Sequence, residues 1–147
     1  MTHRKLPILA VVVAVLVAGA SSSVHASVLP PRVRMQHLLN QTRRSHGLPV
    51  LRLNAYVSYR AWLHSRAMAR RNTLFHSGNL YDAVRRYRPS AWGENVAISG
   101  SLRRVRTLWM RSAGHRAIVL NPRYRRIGIG VLNARGGLWV TAIFYGG

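Results

Sequence analysis

Asp82 and Glu94 are the only carboxylate side chains in a chain that carries 23 basic residues. With so little acid to spare, a Glu held in Trp92-Gly93-Glu94-Asn95-Val96-Ala97, at what reads as the start of a strand, is a candidate for chemistry. Two histidines stand in comparable polar turns, His76 in Phe75-His76-Ser77-Gly78 and His115 in Gly114-His115-Arg116. Two neutral imidazoles and one carboxylate are the ligand types of a zinc site with an open position. The three residues lie 18 and 21 positions apart, so spacing alone does not bring them together. The alternative is three ordinary polar groups: His76 capping a helix exit, Glu94 paired with an arginine, His115 near a helix start.

Other chemistries find less support. The chain has no cysteine, which removes thiol nucleophiles and disulfides together. A Ser-His-Asp triad would have to use Asp82, and no Gly-x-Ser-x-Gly turn presents a serine. Sugar hydrolysis by paired carboxylates would need Asp82 and Glu94 across one cleft. Asp82 instead begins a short helix, where an acid is favoured by the helix N-terminus. No His-Glu-x-x-His, P-loop or dinucleotide fingerprint is present. His64 falls on an apolar helix stripe and reads as a hydrogen-bonded core histidine, while His37 and His46 read as helix-surface residues. Trp62, Trp92, Trp109 and Trp139 are interleaved with Arg in the manner of a nucleic-acid surface. Trp109 and Trp139, however, occupy periodic positions of elements expected to be buried.

The elements that must position these residues follow from periodicity. A first helix is predicted from about Val33 to His46, with Met35, Leu38, Leu39 and Thr42 on one face and Gly47 as its stop. Leu48 to Leu53 is an extended entry to a second helix, N-capped by Asn54, that carries Val57, Ala61, His64 and Met68 on one stripe and ends near Asn72. Tyr81 to Tyr87 is a short helix closed by Pro89. A third long helix starts at the N-cap Ser101, places Val105, Leu108, Trp109 and Ser112 on one face, and is broken by Gly114. His115 to Leu120 form a further turn or two. The C-terminus is a hairpin: Ile127, Ile129 and Val131 alternate with Gly128 and Gly130, the chain turns through Asn133 to Gly137, and Leu138 to Phe144 return. Both faces of that last strand are apolar, so it should be covered on both sides. The class is α+β, with helices layered on a small, mostly antiparallel sheet.

Residues 1–26 read as a signal peptide: His3, Arg4 and Lys5, then the apolar run Leu6 to Ala20, then a small-residue stretch ending Val24-His25-Ala26. An uncleaved N-terminal anchor is the alternative. Residues 27–32 are a linker and 33–147 one domain, large enough for its own core. Without Arg4 and Lys5, 21 arginines face two acids, a net charge of +19. Such a domain attracts polyanions, nucleic acid included, whatever its role.

One series of motifs runs through the domain: Asn40-x-x-Arg43, Gly47-Leu48-Pro49, Leu53-Asn54, His64-Ser65-x-x-Met68-Ala69, Phe75-His76-Ser77-Gly78 and Gly93-Glu94-Asn95-Val96-Ala97. It continues with Trp109-x-x-Ser112-x-Gly114-His115-Arg116 and Leu120-Asn121-Pro122-x-Tyr124-x-x-Ile127-Gly128-Ile129-Gly130. This order resembles the CAP superfamily (cysteine-rich secretory proteins, antigen 5 and pathogenesis-related proteins), and within it the short secreted bacterial members. The resemblance spans about Val33 to Phe144.

The resemblance implies a three-layer α-β-α sandwich with an open cleft lined by two His and usually two Glu, able to hold a divalent ion such as Zn2+. His76 then takes the first His position, Glu94 the first Glu and His115 the second His. The second Glu position falls at Ser112, a departure that weakens any two-carboxylate mechanism. Ser77 and Asn95 flank the site as partners that orient its ligands. The family has no single reaction. The leading expectation is therefore a secreted or cell-wall-associated monomeric binding domain, with a cleft for a divalent metal or a small or lipid ligand. Its arginine surface would be held by anionic cell-envelope polymers or lipid headgroups. A metal-dependent, peptidase-like hydrolase with Glu94 as the catalytic candidate is the second expectation. Charge-driven, non-specific nucleic-acid binding is the third.

Overall fold

The structure, a computed structural model, describes residues 29–147. The expected signal peptide and the start of the linker lie outside the described residues. The elements in order are α1 (Pro31–Ser45), β1 (Arg52–Leu53), α2 (Ala55–Arg71), two short 3-10 turns (Leu80–Ala83 and Arg85–Tyr87), β2 (Ala91–Ser99), α3 (Leu102–Arg111), α4 (Ala113–Val119), β3 (Arg126–Ala134) and β4 (Gly137–Gly146). The first helix begins at Pro31, inside the expected linker, because proline's fixed φ and missing N–H suit the first helical turn.

The sheet order is β1-β3-β4-β2, with β1 parallel to β3 and the other pairs antiparallel. Strand β4 is central and buried along nearly its whole length. Val140, Ala142 and Phe144 pack with Met35, Leu39, Val105 and Trp109 of α1 and α3. The alternate residues Trp139 and Ile143 pack instead with Met68 and Val57 of α2. The period-two alternation of a strand thus builds two cores, one on each face, and the domain is an α-β-α sandwich.

The Ile-Gly-Ile-Gly run of β3 has a steric reason. Ile127 and Ile129 enter the α1/α3 core, while Gly128 and Gly130 lie under α2. A Cβ at Gly128 would come within 2.3 Å of the Val57 backbone, and one at Gly130 within 2.2 Å of the Trp62 nitrogen. The glycines let α2 rest directly on the sheet, where Ser58 Oγ accepts from Ile129 N at 3.1 Å and Ser65 Oγ donates to Gly130 O at 3.2 Å.

The predicted caps are present. Asn54 Oδ1 accepts from Val57 N at 3.0 Å, Asn72 closes α2 in a left-handed conformation, and Ser101 Oγ accepts from Arg104 N at 3.2 Å. Three details differ from expectation. The third helix breaks at Ser112, whose backbone is extended, and Gly114 lies inside α4. Leu108 is exposed, because Leu102, Val105 and Trp109 form the inward stripe. The hairpin turn is two residues, Arg135 and Gly136, both at positive φ, which matches the twist of the paired strands better than the longer loop predicted.

Candidate functional site

Glu94 and Asn95 are consecutive residues of β2, the strand at one edge of the sheet, so their side chains leave on opposite faces. Each ties down a different wall of the site. On the α2 face, the turn after α2 brings His76 and Ser77 to Glu94. His76 Nδ1 lies 2.9 Å from Oε1, Ser77 N donates to Oε1 at 2.9 Å, and Ser77 Oγ donates to Oε2 at 2.5 Å. On the other face, Asn95 Nδ2 donates to the His115 carbonyl at 3.0 Å, and its own Oδ1 is buried without a partner among the described residues.

Gly93 fits the same scheme. Its missing side chain makes room for α4 and the turn after it, since a Cβ there would lie 2.7 Å from the Tyr124 hydroxyl and 3.4 Å from Ile118. The Gly93-Glu94-Asn95 tripeptide therefore admits α4, anchors the His76 turn and anchors His115 within three residues.

A carboxylate can only accept, so the His76–Glu94 bond puts the proton on Nδ1 and leaves Nε2 facing outward as a lone pair in the neutral ring. The His76 side chain is 61% exposed and that of Glu94 only 2%, so the carboxylate acts from behind the imidazole. His115 Nδ1 lies 2.8 Å from Ser112 Oγ across the break between α3 and α4. The tautomer that donates Nδ1–H to the hydroxyl likewise leaves Nε2 free. Neither Nε2 has a partner among the described residues. The two imidazoles are close enough to repel when charged: burial lowers the His115 pKa below its ordinary 6.5, and His76 lowers it further. Both effects favour the neutral form of the His115 ring.

The six residues singled out in the sequence form two hydrogen-bonded sets, His76-Ser77-Glu94 and Asn95-His115-Ser112, held on the two faces of β2 by the adjacent Glu94 and Asn95. The expected three-ligand metal set is not formed, since among the described residues no group of three or more His, Cys, Asp or Glu is arranged to hold an ion. Both Glu94 oxygens are engaged, Oε1 with His76 and the Ser77 backbone and Oε2 with the Ser77 hydroxyl. The ring nitrogens left without a hydrogen-bond partner among the described residues, and so able to meet an ion, are the Nε2 atoms of His76 and His115. Nor is Glu94 paired with an arginine, or His76 capping α2. His64 behaves as expected, bonding Phe75 O through Nε2 at 2.8 Å from a half-buried position. Sequence reasoning missed the recess beside the site: Ser77 and Gly78 border a space of about 620 Å³ lined by Tyr56, Tyr59, Leu63, Phe75 and Ile143. Aromatics at helical spacing on α2, the half-buried Tyr56 and the exposed Tyr59, were the available signal.

The sequence profile of the cysteine-rich secretory protein family (CAP) matches residues 36–144. The uncharacterized protein YkwD of Bacillus subtilis (strain 168) is 29% identical over 128 residues, covering 82% of this chain and 49% of YkwD. An extracellular protein containing an SCP domain from Bacillus anthracis superposes with a TM-score of 0.66 at 28% identity, over 80% of this chain and 40% of that one. NaASP2, crystallised with Zn2+, superposes with a TM-score of 0.59 at 12% identity, over 78% of each chain. This chain thus spans about half the length of YkwD or less than half that of the B. anthracis protein.

Proposed function

The chain belongs to the cysteine-rich secretory protein family, and from that premise we propose that it is a secreted binding domain of the bacterial cell envelope. Its His76–His115 cleft takes a divalent cation such as Zn2+ or a small ligand, and its arginine surface is held by anionic polymers. Bacterial relatives of extracellular description support the location. Among the described residues no helix is long and apolar enough to cross a membrane.

The observation that carries the cleft reading is the use made of Glu94. Three hydrogen bonds engage both of its oxygens and hold the His76 ring by Nδ1, which leaves Nε2 free. A carboxylate so engaged orients a ligand residue and lowers the freedom it would lose on binding. Its burial, at 2% side-chain exposure behind the His76 ring, disfavours the hydrolase alternative, because a general base must come within hydrogen-bond reach of the substrate's proton. His76 and His115 would hold the cation, and Ser77, Glu94 and Ser112 would orient them. A bound divalent cation would supply a positive centre for an anionic or carbonyl-bearing ligand. The aromatic recess bordered by Ser77 is the place for an apolar part of such a ligand, lipid included.

Calorimetric titration of zinc into the chelator-treated protein tests the reading. We expect one-to-one binding that His76→Ala and His115→Ala each abolish, and that Glu94→Gln weakens about 10- to 100-fold. Binding that survives both His substitutions would place the ion elsewhere and remove the basis for the cleft reading.

A further inference from the structure

We propose that a track of arginines along the β1 edge of the sheet binds a linear polyol-phosphate chain. The proposal rests on the reading that anionic polymers hold this domain, and it gives that interaction a seat on the opposite edge of the sheet from the histidine cleft.

The track begins in a recess of about 800 Å³ between α1, β1 and the start of α3, where Arg34, Arg44, Arg52 and Arg103 line the walls. At Val50 and Arg52 it runs into a second recess of about 350 Å³, which adds Arg125 and Arg126. Those two arginines also line a third, of about 320 Å³, beside Gly146. Six guanidinium groups therefore follow one continuous depression. Arg52 and Arg126 are register partners on the parallel strands β1 and β3, so two like charges stand side by side. Such a placement is unfavourable until an anion lies between them.

Neither side-chain carboxylate of the protein does this. Glu94 is buried on β2 at the far edge of the sheet, and Asp82 of the first 3-10 turn pairs with Arg85 of the second. Among the described residues, the side chains of Arg34, Arg44, Arg52, Arg103 and Arg126 make no hydrogen bond. Arg125 donates to the carbonyls of Pro122 and Tyr124. Guanidinium is the side chain best matched to phosphate, through two parallel N–H donors.

The lining between the charges selects the kind of polyanion. Leu38 and Val50 offer apolar surface to carbon units spaced between phosphates. The first two recesses have no Phe, Tyr or Trp in their walls, whereas proteins that hold single-stranded nucleic acid stack its bases on aromatic rings. The tyrosines beside the third recess, Tyr87 and Tyr145, stack on each other with centroids 5.3 Å apart. A concave depression also suits a flexible chain better than the flat array of headgroups on a bilayer. The chemistry favoured is a phosphodiester polymer of polyols.

Fluorescence anisotropy with a labelled synthetic glycerol-phosphate oligomer tests this. The purified protein is compared with the triple variant Arg34→Gln/Arg52→Gln/Arg103→Gln and with a charge-matched control, Arg66→Gln/Arg70→Gln/Arg85→Gln, placed outside the track. The track variant should bind at least about tenfold more weakly than the control, and its dependence on salt should flatten by about two log units per log unit, as for three lost phosphate contacts. A second variant, Arg44→Gln/Arg126→Gln, should show the same direction of effect, and unchanged thermal melting confirms that each variant is folded. Equal losses in track and control variants would overturn the seat while leaving the polymer-holding reading intact. Absence of binding by the unmodified protein at low salt would overturn both. Tighter binding of a thymidine oligonucleotide with the same number of phosphates, or of anionic vesicles, would overturn the polyol assignment.

Discussion

Arg43 is a charge buried completely in the α1/α3 core with no carboxylate beside it, and Arg43→Met should cost the domain a large part of its stability. Its guanidinium donates to four backbone carbonyls: Pro49 at 2.8 Å, Val119 at 2.8 Å, Asn121 at 3.0 Å and Tyr124 at 3.1 Å. It thereby binds α1 to the turn after α4, and through that turn to the helix that carries His115. The four acceptors are not equivalent. Asn121 O also accepts from Tyr124 N at 3.4 Å, and Tyr124 O also accepts from the Arg125 side chain at 3.0 Å. The carbonyls of Pro49 and Val119 lose their side-chain donor with no substitute among these bonds. Two orphaned acceptors at about 1–3 kcal/mol each, partly offset by the gain from removing a desolvated charge, give a loss of about 2–4 kcal/mol. That is a large fraction of a stability of roughly 5–15 kcal/mol.

Urea unfolding followed by tryptophan fluorescence measures the loss, and a urea m-value of about 1–3 kcal/mol/M turns it into a midpoint shift on the order of 1 M. Arg43→Lys should fall between, because one ammonium keeps the charge but cannot reach four carbonyls spread around a planar fork. A loss below about 1 kcal/mol for Arg43→Met would refute the reasoning, since it would mean that the carbonyls find other donors at no cost.

Gly130→Ala, whose Cβ would meet the Trp62 backbone, should destabilise by about 3 kcal/mol in the same urea assay by lifting α2 off the sheet. In the metal-free protein, an NMR titration of His115 should give a midpoint below 6.5, rising in His76→Gln while the effect of burial remains. Because the unfolded chain binds this proton more tightly, the His115 contribution to stability is present above 6.5 and is lost as pH falls through the lowered folded value. Ser112→Ala should release the His115 ring and weaken zinc binding about tenfold in calorimetry, with little change in urea stability.

Much of this arrangement was legible in the chain because local rules and the global fold agree. Asn54 and Ser101 cap the helices they precede, and the two apolar faces of β4 correctly required cover on both sides. Gly93, Glu94 and Asn95 stood out by type in a chain nearly without acid. What they do there depends on β2 lying at a sheet edge between two helical layers, which no local pattern encodes. The hydrogen bonds that Glu94 makes were hidden for a similar reason. Residue type says that a carboxylate can coordinate, but only the His76 turn, folded back over α2's exit, shows its oxygens already engaged. Ser112 was read as a gap in a ligand set. The extended backbone that ends α3 at this residue makes it the hinge between two helices and the partner of His115 at once. The arginine track was invisible because its members come from α1, β1, α3 and β3, and composition reports their number but not their alignment.

The two proposed sites ask for ligands of opposite sign, and this supplies a test that neither gives alone. The cleft offers neutral imidazoles to a cation, inside a domain whose 21 arginines and two acids carry a net charge of +19. At low ionic strength that field reaches well beyond contact distance and opposes the entry of a divalent cation. At physiological salt the Debye length shrinks to about 8 Å, and most of the opposition from arginines at the far edge of the sheet is screened. Zinc affinity should therefore rise as a non-coordinating salt such as sodium perchlorate is added from low to physiological strength. Over the same range the affinity for a polyol-phosphate chain should fall steeply, as bound counterions no longer gain entropy by release. Calorimetry for zinc and anisotropy for the polymer, run in the same buffers, should give slopes of opposite sign. Zinc affinity falling in parallel with polymer affinity would mean that zinc is held by an exposed acidic group and not by His76 and His115, since only attraction between unlike charges is weakened by screening.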